Sequence, residues 1–186
     1  DCVRLAIQRE LKLTSQAIGS GMVMTHGTLA LPPLRPLLMV SLARSGDSPE
    51  SVGALQLLLD NEPEIRHLVV TCNANGKLAT RYRDDPRVTV VVLDDRTNDR
   101  SLVMTSSFTS LVVAARSLGL LDAPETYRSL CRHLSSISDH LINTHFDALA
   151  SVGRRKFRRA VFLASGWAFG GAREAALKML EMTAGR

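Results

Sequence analysis

The first segment with side chains that could do chemistry is a polar loop that follows an apolar run. Residues 44–51 read RSGDSPES and come after the apolar residues 37–42. Gly46 allows a tight turn, and Ser48 followed by Pro49 is typical of the N-cap and first position of a helix. Helix N-termini offer unpaired N–H groups and a positive dipole end to anions. The loop therefore predicts a phosphate-type anion site, with an ordinary strand-to-helix turn as the alternative.

The second such segment lies near the C-terminus and contains two acidic residues and one basic residue. Glu174, Lys178 and Glu181 are four and three residues apart, so their side chains project from one face of a helix. Two carboxylates that flank an ammonium group could form an acid–base cluster. A surface helix stabilised by ion pairs four residues apart explains the same spacing, and the spacing alone does not separate the two interpretations.

Metal and disulfide chemistry has little support in the sequence. Cys2, Cys72 and Cys131 lie far apart and form no Cys-x-x-Cys pair, so they are most simply interpreted as small buried hydrophobic residues. The histidines share no motif, and His140 and His145 are five residues apart rather than four. We therefore predict no metal site.

Strands and helices alternate along the chain, and they must position both segments. Apolar and β-branched runs predict strands at residues 37–42, 67–72, 88–93 and 160–164. Helical periodicity predicts helices at residues 49–60, 77–83 and 102–118, one or two helices in residues 124–152, and another helix from about residue 172. This alternation favours a parallel sheet with helices packed on it.

Composition limits the classes of partner. The chain has 186 residues, of which 45% are hydrophobic and 22% charged, as in a globular protein with a sizeable core. A net charge of +5 would suit nucleic acid, but aromatic residues make up only 4%, and the basic run at residues 154–159 is typical of a solvated linker. No stretch resembles a transmembrane segment or a signal peptide. We predict a cytoplasmic protein without nucleic-acid or membrane partners, whose basic character suits small phosphorylated substrates.

Several segments resemble one family of sugar-phosphate enzymes. Residues 43–48 resemble the phosphate loop of sugar isomerase (SIS) domains. Residues 97–109 resemble the second signature block of the tagatose-6-phosphate ketose/aldose isomerase group, some of whose members are galactosamine-6-phosphate deaminases. Residues 69–73 extend the resemblance, and residues 165–185 resemble the opening of a second SIS domain. The long match at residues 97–109 favours the phosphate-binding interpretation of the first loop.

The resemblance implies a phosphosugar isomerase that interconverts aldose and ketose forms of a hexose or hexosamine 6-phosphate, such as tagatose 6-phosphate or galactosamine 6-phosphate, with deamination as a possible outcome. It implies that Glu181 transfers the proton, with Lys178 one turn earlier on the same helix. It also implies phosphate contacts from Arg44, Ser45, Gly46, Ser48 and Ser51, and substrate contacts from Asn98, Val103, Thr105 and Glu174. The isomerisation requires no metal or redox cofactor. A noncatalytic sugar-phosphate-binding SIS module is the alternative, although a sensor needs no paired acid and base.

The implied fold is a SIS-type three-layer α/β/α sandwich with a mainly parallel, flavodoxin-like sheet. We expect an N-terminal helix and a poorly assignable segment in residues 1–35, a first SIS domain in residues 36–153, and the start of a second in residues 154–186. SIS domains usually begin with a strand and a Gly-Ser/Thr loop. Because residues 14–36 contain no such unit, we expect a missing segment near Ser20, itself a weak candidate phosphate ligand, and an incomplete chain. SIS cavities often form between protomers, so the resemblance also implies a homodimer or a higher homo-oligomer.

Overall fold

The computed structural model of the protein describes residues 1–185, which divide into two compact units. Residues 14–115 form the first unit, and residues 1–13 and 116–185 form the second. The elements of the first unit are α2 (Ser20–His26), β1 (Leu37–Ala43), α3 (Pro49–Asn61), β2 (Ile65–Thr71), α4 (Lys77–Thr80), β3 (Val88–Val92) and α5 (Ser106–Arg116). The second unit contains α1 (Arg4–Leu11), α6 (Pro124–Gly153) and α7 (Ala168–Thr183).

A three-stranded parallel sheet in the order β1-β2-β3 organises the first unit. Leu37 of β1 is in register with Ile65 of β2, and His67 of β2 is in register with Val88 of β3. The three strands lie within two residues of the segments that the sequence predicts, and the predicted parallel sheet is confirmed. Parallel strands place all their carboxyl ends at one edge of the sheet, so the loops that follow the strands meet there.

Alternate side chains of β2 pack on opposite helical layers, which confirms the predicted three-layer α/β/α sandwich. Val69 packs in one core cluster with Leu55 of α3, on one face of the sheet. Val70 packs in another core cluster with Leu111 of α5, on the opposite face. Because successive strand residues point to opposite faces, a strand covered on both faces is apolar along most of its length. The uninterrupted apolar runs of the sequence therefore follow from this architecture.

The second unit is helical and leaves much apolar surface exposed. An ion pair joins Glu10 of α1 to Arg116, and Arg173 of α7 donates a 3.0 Å hydrogen bond to Asp1. No residue of the 30-residue helix α6 is fully buried. Among residues 1–185, no helix is both long enough and apolar enough to cross a membrane.

Some sequence-based predictions are wrong. Residues 160–164 form no strand, because no neighbouring strand of the described chain pairs with them, and a strand needs such a partner for its backbone groups. Helix α5 begins at Ser106 rather than residue 102, helix α4 stops at Thr80, and α7 begins at Ala168 rather than residue 172. The predicted division into SIS domains stays a prediction.

Candidate functional site

The candidate site of the first unit consists of the loops that follow the three parallel strands. The first loop follows β1 and contains residues 44–48, which the sequence predicts to bind phosphate. The second follows β2 and contains residues 72–76, and the third follows β3 and contains residues 93–105. Because the sheet is parallel, these loops lie at the same edge, where open α/β sheets bind their ligands.

The backbone of the first loop takes the conformation that the sequence predicts. Gly46 has a φ of +67°, a left-handed conformation that glycine adopts without strain, and its neighbour Leu78 lies 3.3 Å from the position of a Cβ. Ser48 is the N-cap of α3 and Pro49 follows it, as predicted. The Ser48 side chain does not cap the helix, however, because its hydroxyl donates a 2.7 Å hydrogen bond to Oγ of Ser51. Two hydroxyls that bind each other at a helix N-terminus could both turn towards an anion.

The second loop holds the first in place. The side-chain amide of Asn73 donates a 3.0 Å hydrogen bond to the carbonyl oxygen of Ser45. Asp47 accepts a 3.0 Å hydrogen bond from the backbone N–H of Lys77 at the start of α4. The hydroxyl of Thr71, a residue with no exposed surface, donates to the carbonyl oxygen of Arg44 at 3.2 Å. These bonds pair polar groups of the first loop with the second loop and with β2, and so fix the shape of the first loop.

Arg44 links the first loop to the third. Its guanidinium Nη1 donates to the carbonyl oxygens of Asp99, at 3.3 Å, and Ser101, at 2.5 Å. A guanidinium has five N–H donors, so these two bonds leave donors for an anion on the same side chain. The structure thus brings Arg44, predicted to bind phosphate, together with the loop predicted to contact the rest of the substrate.

Asp99 organises the third loop and the start of α5. Its carboxylate accepts hydrogen bonds from the backbone N–H of Thr105 at 2.7 Å and of Ser107 at 2.9 Å. The hydroxyls of Ser106 and Ser107 donate to the same carboxylate at 2.6 and 2.8 Å. These donors, led by Ser106, hold the pKa of Asp99 well below its ordinary value. A carboxylate here stabilises the helix N-terminus, as a capping acid does.

Three residues of the third loop are predicted to contact the substrate, and they lie in two different environments. The N–H groups of Thr105 and Val103 are occupied within the loop, by Asp99 and by Oγ of Ser101 at 3.1 Å. Asn98 instead lies in an open cleft of about 680 Å³, lined by Asp95, Arg96, Asn98, Asp99 and Arg100. The sequence analysis does not predict that Asp99 binds the N–H groups at the start of α5. An acidic residue shortly before a run of serines that begins a helix is the sequence signal for this role.

The acid–base cluster forms on α7, in the second unit. Lys178 donates a 2.8 Å hydrogen bond from Nζ to Oε2 of Glu181, and Oε1 of Glu174 lies 3.0 Å from the same Nζ. That second contact is electrostatic, because its geometry gives Oε1 of Glu174 no hydrogen bond. The hydrogen bond with Glu181 is the largest cause of a raised Lys178 pKa, so the side chain stays an ammonium ion at neutral pH. The predicted face of two carboxylates and one ammonium is confirmed as a geometric arrangement.

A parallel three-layer sandwich with polar loops at the carboxyl ends of its strands defines a class, the α/β ligand-binding domains. Comparison with known proteins narrows that class to one group. The chain is 34% identical over 189 residues to D-galactosamine-6-phosphate deaminase AgaS of Shewanella sp. (strain ANA-3), covering 100% of this chain and 48% of the relative. It is 38% identical over 158 residues to D-galactosamine-6-phosphate deaminase AgaS of Escherichia coli, covering 84% of this chain and 40% of the relative.

A solved structure shows the same resemblance. Tagatose-6-phosphate ketose/aldose isomerase from Escherichia coli superposes with a TM-score of 0.84 and 32% identity, over 99% of this chain and 50% of that one. No protein-family model matches the sequence. The comparisons confirm the SIS-type fold and the resemblance to the tagatose-6-phosphate isomerase and galactosamine-6-phosphate deaminase family. The chain spans about half the length of the relatives that it matches.

Proposed function

We propose that the protein binds a hexose or hexosamine 6-phosphate and isomerises it between aldose and ketose forms, with deamination when the sugar carries an amine. The single observation that carries this proposal is the ammonium group of Lys178, held 2.8 Å from one carboxylate and 3.0 Å from another. Isomerisation needs a carboxylate that moves a proton and a cation that stabilises a developing oxyanion. The names of the relatives, a deaminase and an isomerase of such sugars, support the same substrate class.

In this proposal the first loop anchors the phosphate. Arg44 supplies a permanent positive charge, and Ser45, Ser48 and Ser51 supply hydroxyl donors at the N-terminus of α3. Gly46 allows an anion to approach the loop backbone closely. The bonds from the second loop fix these donors, so binding costs little additional ordering.

In the proton-transfer step, Glu181 removes the proton from the carbon next to the sugar carbonyl. The electron pair moves onto the carbonyl oxygen, and Lys178 stabilises the resulting enediolate. The proton of the neighbouring hydroxyl passes to the oxygen of the former carbonyl, a new carbonyl forms at the carbon that carried that hydroxyl, and Glu181 returns its proton to the former carbonyl carbon, which gives the isomer. When an amine replaces the hydroxyl on the second carbon, as in galactosamine 6-phosphate, the same shift gives an imine at that carbon, and water hydrolyses it to the ketose and ammonia.

The alternative is a noncatalytic sugar-phosphate-binding module. One observation favours it: Arg44, Ser45, Ser48 and Ser51 all lie within residues 14–115, which need nothing from the acid–base helix to form the loop. Such a module would bind the phosphorylated sugar without converting it.

An assay on the purified chain separates the two functions. Tagatose 6-phosphate and galactosamine 6-phosphate are incubated separately, while ketose–aldose interconversion and ammonia release are followed. If the proposal is correct, Glu181→Gln lowers kcat by at least about 100-fold, as expected for loss of a general base. The control Glu125→Gln changes an exposed carboxylate of α6 and leaves kcat unchanged.

Calorimetric titration with the same sugars gives the second readout. Saturable binding that Ser45→Ala weakens, without turnover, would support the noncatalytic module and contradict the isomerase.

We also propose a cytoplasmic location and a homo-oligomeric state. The location follows from the proposed substrate, because a doubly charged sugar phosphate does not cross a lipid bilayer unaided.

A further inference from the structure

Arg44 belongs to two loops of the candidate site at once. Its backbone lies in the first loop, where its carbonyl oxygen accepts a 3.2 Å hydrogen bond from the hydroxyl of Thr71, a residue with no exposed surface. Its side chain reaches the third loop, where Nη1 donates to the carbonyl oxygens of Asp99 at 3.3 Å and Ser101 at 2.5 Å. Because β2 anchors the base of this side chain, the position of the guanidinium depends on the groups that bind its far end.

The guanidinium of Arg44 can bind an anion while it holds the third loop. Both carbonyl bonds come from Nη1, and Nε and Nη2 carry further N–H groups. A planar guanidinium fixes the angles between its donors, so it can bind a carbonyl on one edge and an oxyanion on another. Ser45 can donate to the same anion, because its Oγ accepts a 3.3 Å hydrogen bond from the N–H of Asp47 and its hydroxyl hydrogen then points elsewhere.

Asp99 connects the Arg44 side chain to the rest of the third loop. Its carbonyl oxygen accepts from Arg44, while its carboxylate accepts from the N–H groups of Thr105 and Ser107 at the start of α5. Asn98, which lies in the open cleft and is predicted to contact the sugar, directly precedes Asp99. Whatever holds Arg44 more firmly therefore also holds the backbone on both sides of Asp99.

We propose that Arg44 is a positioning residue that orders the third loop when a phosphate binds to the first loop. Fixing the Arg44 side chain costs conformational entropy, and the phosphate and the two carbonyl groups share that cost. Phosphate binding and the order of the third loop therefore favour each other. A sugar phosphate meets a firmer third loop than an unphosphorylated sugar does. Arg44 can act in this way only if the first loop binds phosphate, as the proposed function requires.

Hydrogen–deuterium exchange with inorganic phosphate tests this coupling. Saturating phosphate, at matched ionic strength, is expected to slow the amide exchange of residues 98–107 at least about fivefold, the lower end of typical coupling factors. Residues 133–145 of the exposed helix α6 are the internal reference and should not respond. Calorimetric titration measures phosphate binding separately. If phosphate does not bind, the proposed phosphate site and the coupling both fail. If it binds but the exchange of residues 98–107 is unchanged or faster, the coupling alone is refuted.

The variant Arg44→Lys separates charge from geometry. Lysine keeps the positive charge, but its ammonium is a point charge that cannot hold a carbonyl and an oxyanion on two edges of one planar group. We expect phosphate binding about tenfold weaker, as for one lost hydrogen bond to a charged group. We also expect faster exchange of residues 98–107 without phosphate, and no slowing when phosphate saturates the variant. Arg83→Lys, the same change at an exposed arginine between α4 and β3, is the control and should behave like the unchanged chain.

Three results with these variants would overturn the coupling. They are phosphate-dependent slowing that persists in Arg44→Lys, ligand-free exchange of residues 98–107 that equals that of the unchanged chain, and loss of the slowing in Arg83→Lys. The ligand-free comparison decides even if Arg44→Lys binds no phosphate. Circular dichroism verifies folding, and Arg44→Gln gives the same ligand-free comparison if the lysine variant unfolds.

Discussion

The carbonyl oxygen of Ser45 occupies the space beside Gly76 where any other residue would carry a side chain. A Cβ built on Gly76 would lie 2.0 Å from that oxygen. This contact lets the loop after β2 pack directly on the loop after β1, where Asn73 also binds the Ser45 carbonyl. The shape of the candidate phosphate loop therefore depends on a residue outside it.

Replacing Gly76 with alanine should distort the first loop. Real Cβ atoms do not approach a backbone oxygen at 2.0 Å, so the two loops must separate. We expect a loss of about 1–3 kcal/mol in the free energy of unfolding, typical of overpacking, together with weaker sugar-phosphate binding. Urea denaturation and calorimetric titration measure the two effects. Gly171→Ala, in open space on α7, is the control and should be neutral or slightly stabilising. Equal behaviour of the two variants would show that the contact does not constrain the loop.

Asp99→Ala should destabilise the start of α5. The variant leaves the N–H groups of Thr105 and Ser107 without their acceptor, so the midpoint of thermal unfolding should fall. Asp95→Ala, an exposed change in the same loop, is the control and should leave the midpoint nearly unchanged.

The destabilisation caused by Asp99→Ala should depend on pH in a defined direction. The folded protein holds the pKa of Asp99 below its ordinary value of 3.8. Its stabilising contribution is therefore complete above pH 3.8 and is lost as the pH falls through the lower folded pKa. The difference in melting temperature between the unchanged chain and Asp99→Ala should be constant from pH 7 to pH 5 and should shrink in stronger acid. A difference that grows in acid would contradict this account.

The strands and their parallel order could be predicted because each strand is an apolar run bounded by turn-forming residues. The loop at Gly46 could be predicted for a similar local reason, since its turn and helix start depend on adjacent residues. Interactions between distant segments could not be predicted, such as the hydrogen bonds that Arg44 donates to the carbonyl oxygens of Asp99 and Ser101. Residues 160–164 also show that long-range pairing cannot be predicted from a local pattern. Their propensity for a strand is clear, but a strand forms only where another strand supplies partners.

His67 should make the first unit sensitive to mild acid. Its side chain is 2% exposed, and neither ring nitrogen has a hydrogen-bond partner in the described structure. Burial is the main cause of its lowered pKa and nearby Arg87 contributes, whereas Asp85 opposes the shift. His67 therefore binds a proton more readily in the unfolded chain than in the folded chain. The free energy of unfolding should decline as the pH falls below 6.5, the ordinary pKa of histidine.

His67→Leu tests this sensitivity. Leucine has no polar atoms that burial would leave unpaired. The free energy of unfolding of the variant should therefore exceed that of the unchanged chain by about 1 kcal/mol at pH 7.5, and by more at pH 5.5. Urea denaturation at both pH values measures the free energy of unfolding. His26→Leu, which changes an exposed histidine, is the control and should not alter the pH dependence. An unchanged chain that is equally stable at both pH values would refute the prediction.

In the second unit, the ion pair between Glu10 and Arg116 should contribute more than an ordinary surface pair. The guanidinium donates from two nitrogens to the two carboxylate oxygens, and the side chains are only 18% and 21% exposed. Glu10→Gln leaves the cation partly buried without its counter-charge, so we expect a loss of about 1–3 kcal/mol. The double variant Glu10→Gln/Arg116→Met removes that unpaired charge and should recover part of the loss. A double-mutant cycle of unfolding free energies measures the coupling. Strictly additive losses would mean that the two side chains stabilise the unit independently, and the pair would then rank with exposed ion pairs, which contribute little.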